Sequence, residues 1–282
     1  MSKLPDARLI QNQLHKLGHP NVDVHAFEQL DSTSIWLKDN ASILTSTDLD
    51  RGRDVNETVH LCVTDWQSAG VGRRGRQWQT RPGNITFSVL AQSLRPASEL
   101  VGISLVTGIA VAECLADNLG VQPQLKWPND VLLNGAKLGG LLTELSSVSA
   151  SAGARRVTQL FTGIGINTLH DDEVLGLGIG ATSLEEAMGG RMAPSERDVL
   201  LAKMVANVLA EHQRFHESGW TVFSERWAAL DWLFDREVLI HRENSTEQAV
   251  ARGVNEQGAL LVERAGEILP LFSGNVSIRP TV

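Results

Sequence analysis

The sequence predicts an α/β (α+β) chain, a large mixed domain followed by a small all-β unit. Three observations carry this reading. Short alternating runs such as residues 84–90 (NITFSVL) read as strands, with Ile85, Phe87 and Val89 on one face. Residues 99–119 form a nearly all-apolar helix, which has to be buried on more than one side. From Arg236 onward the pattern breaks into short strands at 237–241, 249–254, 259–262, 268–272 and 276–279, separated by turn signals. These predict a small β-barrel, with a boundary near Phe234-Asp235 and three segments: a helix in 1–20, a main domain in 21–234 and a small domain in 235–282.

Taken in order, Leu9, Ile10, Leu14 and Leu17 lie at helical spacing, and Gly18 stops that helix. Residues 21–27 alternate as a strand. Asp31-Ser32-Thr33-Ser34 reads as a helix N-cap, whose hydroxyls and free amides can also bind a polar ligand group. Residues 48–56 (DLDRGRDVN) read as a polar loop, followed by a strand at 58–64. Pro128 holds Trp127 extended, which sets Lys126 at the end of a strand and starts a turn at Asn129-Asp130. Asn134-Gly135 signals a type I′ hairpin between 131–133 and 136–145, and 156–168 is a further strand. Ser183-x-x-Glu186 is a capping box, and Pro194 opens an amphipathic helix to His216. His212 and His216 are spaced as a metal pair, but no third ligand is near, so they are expected to face solvent.

Composition narrows the function. The chain has 282 residues, 42% hydrophobic and 21% charged, as ordinary soluble enzymes do. A net charge of -8 argues against general nucleic-acid affinity, and a single N-terminal helix cannot build a helix-turn-helix reader. The 2 cysteines, Cys62 and Cys114, lie in apolar runs and read as reduced core fillers. The absence of an apolar N-terminal region or a membrane-length apolar run leads to a cytoplasmic expectation. No carboxylate cluster suits a metal on its own, and no Ser/His/Asp or Cys/His set is evident.

The exception to the acidic balance is residues 65–89. Arg73, Arg74, Arg76 and Arg81 are interleaved with Gly70, Gly72, Gly75 and Gly83, and no acid occurs from Trp66 through Ser98. Such a loop can wrap closely around a small anion, with arginines forking onto its oxygens. Residues 70–75 also spell G-x-G-x-x-G, but a strand follows where a dinucleotide fold needs a helix. Lys126, at the end of an apolar strand, loses hydration unless an anion meets it. Lys137 follows the 134–135 turn, and Gly139-Gly140 and Gly163-x-Gly165 permit close backbone approach. Cations, glycines and capping hydroxyls suit phosphoryl or nucleotidyl transfer, where positioning and charge stabilisation matter more than a base.

Together, Asp31-Ser-Thr-Ser34, the run 67–78 (QSAGVGRRGRQW), Lys126-Trp-Pro-Asn-Asp130, Lys137-Leu-Gly-Gly-Leu-Leu and Gly163-Ile-Gly-Ile-Asn167 resemble the biotin protein ligases, as does Gln257-Gly-Ala-Leu-Leu. That resemblance implies a class II synthetase-like catalytic domain with a C-terminal SH3-like barrel. It implies MgATP (Mg2+ entering with the nucleotide) and biotin as substrates, biotinyl-5′-AMP as intermediate, and a lysine of the biotin carboxyl carrier protein of acetyl-CoA carboxylase as acceptor. It places Ser32, Thr33, Ser34, Gln67, Gly70, Val71, Gly72, Arg73 and Lys137 on biotin. Arg74, Arg76, Trp78, Lys126, Asn129 and Asn167 fall on the nucleotide, with Lys126 and Arg73 catalytic and Arg279 approaching from the barrel. The Gly/Arg loop is expected to order on ligand binding.

Val71 stands where the family often has Arg, and Ser34 where it usually has Asn. The N-terminus has no room for the DNA-binding domain of members that double as repressors, so no DNA binding is expected, and the chain is expected to be a monomer or homodimer. The rival readings are a lipoate or octanoate ligase or transferase, which would want an apolar tunnel, a non-catalytic biotin sensor, and a nucleic-acid-binding module stacking bases on Trp66 and Trp78.

Overall fold

The structure, a computed structural model, describes residues 4–50, 58–149, 156–170, 180–242, 245–274 and 277–280. Helix α1 (Ala7–Lys16) starts where the Asp6 carboxylate accepts a hydrogen bond from the Leu9 amide at 3.0 Å. There follow β1 (Val22–Leu30), α2 (Thr33–Asp50), β2 (Val59–Gln67), the two-residue strands β3 (Gly70–Val71) and β4 (Gln77–Trp78), and β5 (Ile85–Ser93). Next come α3 (Ile103–Leu119), β6 (Pro123–Lys126), β7 (Asp130–Leu133), β8 (Ala136–Ser149) and β9 (Arg156–Ile166). Helices α4 (Leu184–Met188), α5 (Pro194–Ser218) and α6 (Ser224–Leu230) complete the main body.

Seven strands form one sheet in the order β1-β2-β5-β9-β8-β7-β6, with β1 and β2 parallel and every other pair antiparallel. Asn134 (φ 52°) and Gly135 (φ 78°) both take positive φ and close the β7–β8 hairpin, as their turn signal requires. Strand alternation divides the two faces of the sheet. Ile85, Phe87 and Val89 on β5, with Leu160, Ile164 and Ile166 on β9, join α3 and α5 in the main core. Leu90 and Phe161 point the other way, into a smaller cluster with Leu37 and Ala41 of α2 and Cys62 of β2. Both cysteines are free and buried.

The C-terminal strands β10 (Glu237–His241), β11 (Thr246–Val254), β12 (Leu260–Arg264), β13 (Glu267–Leu271) and β14 (Ser277–Pro280) form an antiparallel sheet in the order β13-β12-β11-β10-β14. Val238, Ile240, Ala251, Leu260, Val262 and Ile278 belong to the same apolar cluster as α3, so the small sheet shares the main core. Trp127 Nε1 donates to the Gly258 carbonyl at 3.1 Å. A side chain at Gly258 (φ +70°) would meet Gly102 Cα at 3.1 Å, so the junction is glycine against glycine. Helix α1 is likewise drawn in, with Ile10 and Leu14 in that core.

Two local expectations are corrected. Helix α2 runs on to Asp50, so residues 48–50 of the expected loop are helical, while 51–57 lie outside the described residues. Asp48 holds the end of this helix to β2 through Oδ2, 2.9 Å from His60 Nε2. His212 does not face solvent. It is buried, and Nε2 lies 2.9 Å from Thr107 Oγ1. Thr107 spends its own proton on the Ile103 carbonyl at 2.9 Å, so the imidazole is the donor. Counting ligands in the sequence could not reveal that α5 turns this polar position toward a threonine on α3.

The Arg197 guanidinium, 6% exposed, pairs with Asp65 Oδ1 at 2.6 Å and Asp198 Oδ1 at 3.1 Å. Asp198 Oδ2 also receives the Asp6 amide at 2.9 Å, and Asp65 Oδ1 the Gly83 amide at 3.0 Å. One cation thus ties α5 to α1, β2 and the β4–β5 connection. Arg197→Met leaves two buried carboxylates without it and is expected to cost about 3–5 kcal/mol, read by urea unfolding. Burial, and then the neighbouring His216, push the His212 pKa down to about 3. The unfolded chain titrates first, near 6.5, so stability is retained above that pH and lost as pH falls towards 3. About 2 kcal/mol is expected to disappear from pH 6.5 to 5. His212→Gln should flatten that acid limb, and an unchanged pH dependence of the unfolding free energy would refute it.

Candidate active site

On the α2 side of the large sheet, beyond the N-terminus of α2, lies a cavity of about 200 Å³. Its floor continues the β5 and β9 residues that cover α2 further along: Thr86 and Ser88 on β5, Gly163 and Gly165 on β9, with Gly140 and Leu142 of β8. The glycines make the floor. A Cβ at Gly163 would fall 2.8 Å from Ser34 Oγ, and one at Gly165 would fall 2.5 Å from Trp78 Nε1. Side chains there would fill the site.

One end of the cavity is neutral and polar. Ser32 caps α2 through Oγ, 3.4 Å from the Ile35 amide. Thr33 donates to Gln67 Oε1 from its amide at 2.8 Å and from Oγ1 at 3.1 Å. Thr33 Oγ1 and Ser34 Oγ lie 2.7 and 2.8 Å from Ser88 Oγ. Since Thr33 gives its only hydroxyl proton to Gln67, Ser88 donates to Thr33 and Ser34 donates to Ser88. The chain leaves the lone pairs of Ser34 as acceptors beside the cavity, suited to an N–H group.

The other end is cationic. Lys126, the last residue of β6, is 7% exposed, with Nζ 3.6 Å from Asp130 Oδ2. Lys137 Nζ lies 2.5 Å from Asp130 Oδ1. Burial lowers the Lys126 pKa, and the nearby Asp130 carboxylate opposes that shift while Lys137 and Arg279 add to it. Arg73 is also lowered, by burial first, again with Asp130 opposing. Its guanidinium donates to Asn129 Oδ1 at 3.2 Å and to the backbone carbonyl of Ser273 in the small sheet. Asn129 is held for this by its Nδ2 bond to the Leu141 carbonyl at 2.9 Å.

The Gly/Arg loop is a small hairpin: Gly70 pairs with Trp78 and Val71 with Gln77. Arg74 and Arg76 are exposed at the mouth of the cavity, and Gly72 and Val71 line it. Trp78 returns over the glycine floor, with Lys137 Nζ 5.6 Å from its ring centroid. The structure therefore brings together Ser32, Thr33, Ser34, Gln67, Val71, Gly72, Arg73, Arg74, Arg76, Trp78, Lys126, Asn129 and Lys137. Gly70 stands behind this wall, buried against the Trp78 carbonyl.

Asn167 is not brought to the cavity. Its amide donates to the Thr182 carbonyl at 3.2 Å and weakly to that of Lys137 at 3.5 Å, so it braces the strand that carries Lys137. Arg279 is exposed on β14, and its neighbour Ile278 lines the cavity instead. Sequence reasoning missed Thr86, Ser88 and the bridging role of Asp130. The signal for the first two was present: the polar side of an alternating strand in mid-sheet has to face something polar. Among the described residues no group of three or more His, Cys, Asp or Glu could hold a metal, and no helix is long and apolar enough to cross a membrane.

The chain matches the biotin/lipoate A/B protein ligase family over residues 42–167. It is 32% identical over 281 residues to the bifunctional ligase/repressor BirA of Salmonella typhimurium, covering 98% of this chain and 79% of that protein. With the biotin–[acetyl-CoA-carboxylase] ligase of Mycobacterium tuberculosis it shares 27% identity, over 96% of this chain and 94% of that protein. The biotin protein ligase of Aquifex aeolicus, solved with biotin and ATP, superposes with a TM-score of 0.71 at 26% identity, over 93% of this chain and 99% of that one. A likeness at this level across nearly the whole chain, on a chain with a cavity lined by cations, glycines and hydroxyls, places the protein in that family, and within it among the biotin protein ligases.

Proposed function

We propose that this biotin protein ligase activates biotin with MgATP to biotinyl-5′-AMP and then passes the biotinyl group to a lysine of a biotin carboxyl carrier protein. The observation that carries the reading is one cavity with a neutral hydroxyl chain at one end and buried, incompletely neutralised cations at the other. A ureido ring needs the first. A carboxylate meeting a phosphate needs the second.

In the first step the biotin carboxylate, already ionised at neutral pH, attacks the α-phosphorus. A carboxyl-oxygen–phosphorus bond forms, the bond to the β-phosphate bridging oxygen breaks, and pyrophosphate leaves with that electron pair. Lys126 and Arg73 stabilise the charge that gathers on the α-phosphoryl oxygens, strongly because both are desolvated. Asn129 orients Arg73, and Asp130 holds Lys126 and Lys137 together at fixed positions against their mutual repulsion. In the second step the neutral carrier amine attacks the acyl carbonyl and a carbon–nitrogen bond forms. The acyl carbon–oxygen bond to the phosphate breaks, AMP leaves with that electron pair, and the nitrogen gives up one proton to solvent. Mg2+ would enter with the nucleotide and would supply charge neutralisation on its phosphates. A lipoate or octanoate chain would leave the acceptor lone pairs of Ser34 without a partner, which favours biotin over those acids.

Biotin-dependent exchange of pyrophosphate into ATP tests the reading, with lipoate and octanoate run in parallel. Exchange with biotin is expected; exchange with lipoate or octanoate instead would overturn the substrate. Lys126→Met should lower it by roughly 10²–10³-fold, while the chain stays folded because a buried ammonium is removed. Gly165→Ala pushes a methyl into Trp78, whose Nε1 would stand 2.5 Å away. It should raise the KM for ATP by roughly 10-fold, about 1.4 kcal/mol, with a smaller change in biotin affinity. Equal effects on both substrates would place Trp78 elsewhere than over the nucleotide.

A further inference from the structure

Thr86 is 3% exposed and lines the cavity, yet its Oγ1 has no hydrogen-bond partner among the described residues. Ser88, two residues along the same strand and on the same face, has two hydroxyl partners. The contrast matters, because a hydroxyl enclosed without a partner loses its water and gains nothing in return. Valine would fill the same space without that loss. A threonine at this position is explained if a ligand atom completes it.

The place of Thr86 in the sheet says which atom. It stands in register with Gly165, and Gly165 with Gly140, so the three form one row across β5, β9 and β8. Trp78 lies over the two glycines of this row, and its Nε1, above Gly165, is also buried without a partner. Lys137 reaches the same row, its Cε 3.7 Å from where a Gly140 Cβ would be. The Ser88 row, with Ser34 and Gly163, lies about 7 Å away, two residues along the strand. If the ring of biotin sits at the hydroxyl chain, its side chain runs along the floor toward Thr86 and the cations.

We infer that the Thr86 hydroxyl is a substrate contact that donates a hydrogen bond to the carboxyl end of biotin. This inference rests on the biotin ligase reading above. An acceptor is called for, since Thr86 Oγ1 carries a proton to give, and the cations beside it favour a negatively charged one. Thr86 then does for the carboxyl end what Ser34 does for the ring: it fixes the position of the acid before the phosphate arrives.

Titration calorimetry of the full chain with biotin and with biotinol, the alcohol that lacks the carboxylate, tests this in wild type, Thr86→Val and Thr86→Ser. Thr86→Val is expected to weaken biotin roughly 10-fold. It should leave biotinol within about 2-fold, and Thr86→Ser should stay close to wild type for both ligands. Equal biotin affinity in Thr86→Val and wild type overturns the inference and leaves the biotin reading intact. A loss shared by biotinol overturns it too, because the added methyl or a bond away from the carboxylate would then be at work, and so does a loss in Thr86→Ser, which removes the methyl and keeps the hydroxyl. A wild-type chain that binds no biotin would overturn the underlying reading itself.

Discussion

Asp130 stands between the ammonium groups of Lys126 and Lys137, and it also faces the Arg73 guanidinium. One carboxylate against three cations, of which Lys126 and Arg73 are desolvated by burial, leaves the corner positive and short of hydration. Much of the site follows from that imbalance. The β6–β7 hairpin pairs Lys126 directly with Asp130, so the corner turned by Trp127, Pro128 and Asn129 fixes the geometry of the charges. Removing the carboxylate would let the cations repel one another apart. A second carboxylate would neutralise the corner and weaken its attraction for an anion. The arrangement is incompletely compensated, and the proposed anionic substrates would complete it.

The remaining architecture builds the cavity that opens onto that corner. Strand alternation on β5 and β9 sends bulky residues into the main core and leaves Thr86, Ser88, Gly163 and Gly165 as a shallow floor on the opposite face. The N-terminus of α2 closes one end with hydroxyls and adds a partial positive charge, with no acidic residue in its first turn. The small C-terminal sheet is part of the wall. It shares the apolar core, receives Trp127 at Gly258, and offers the Ser273 carbonyl to Arg73. Motion of that sheet would therefore be felt at the guanidinium.

The legible parts of the site were those whose chemistry is local. Lys126 could be set at a strand end because Pro128 follows two residues later, and Lys137 beyond a turn because Asn134-Gly135 spells one. The glycines of 163–165 announced a close approach, although not that Trp78 and Ser34 would be the groups approaching. His212 was misjudged because spacing along a helix cannot say which neighbour covers a polar position; Thr107, 105 residues away in sequence, decides it. Asn167 sits in a ligand-like motif, but the segment around Thr182 folds back and takes up its amide. Asp48 looked like loop until His60 supplied a reason for the helix to continue.

What the sequence by itself determined was the inventory: strand and helix periods, caps and turns, a cationic glycine loop, and the motifs that mark a biotin protein ligase. Those features depend on side-chain type and on neighbours within a few residues, where backbone sterics and hydrogen bonding act. Tertiary structure decided which polar groups have partners. It gave Ser88 two hydroxyls and Thr86 none among the described residues, shared Asp130 between two lysines, and buried His212 against a threonine. Hydrogen bonds and charge pairs act over a few ångströms in space, and only the packed sheet brings residues distant in the chain within that range.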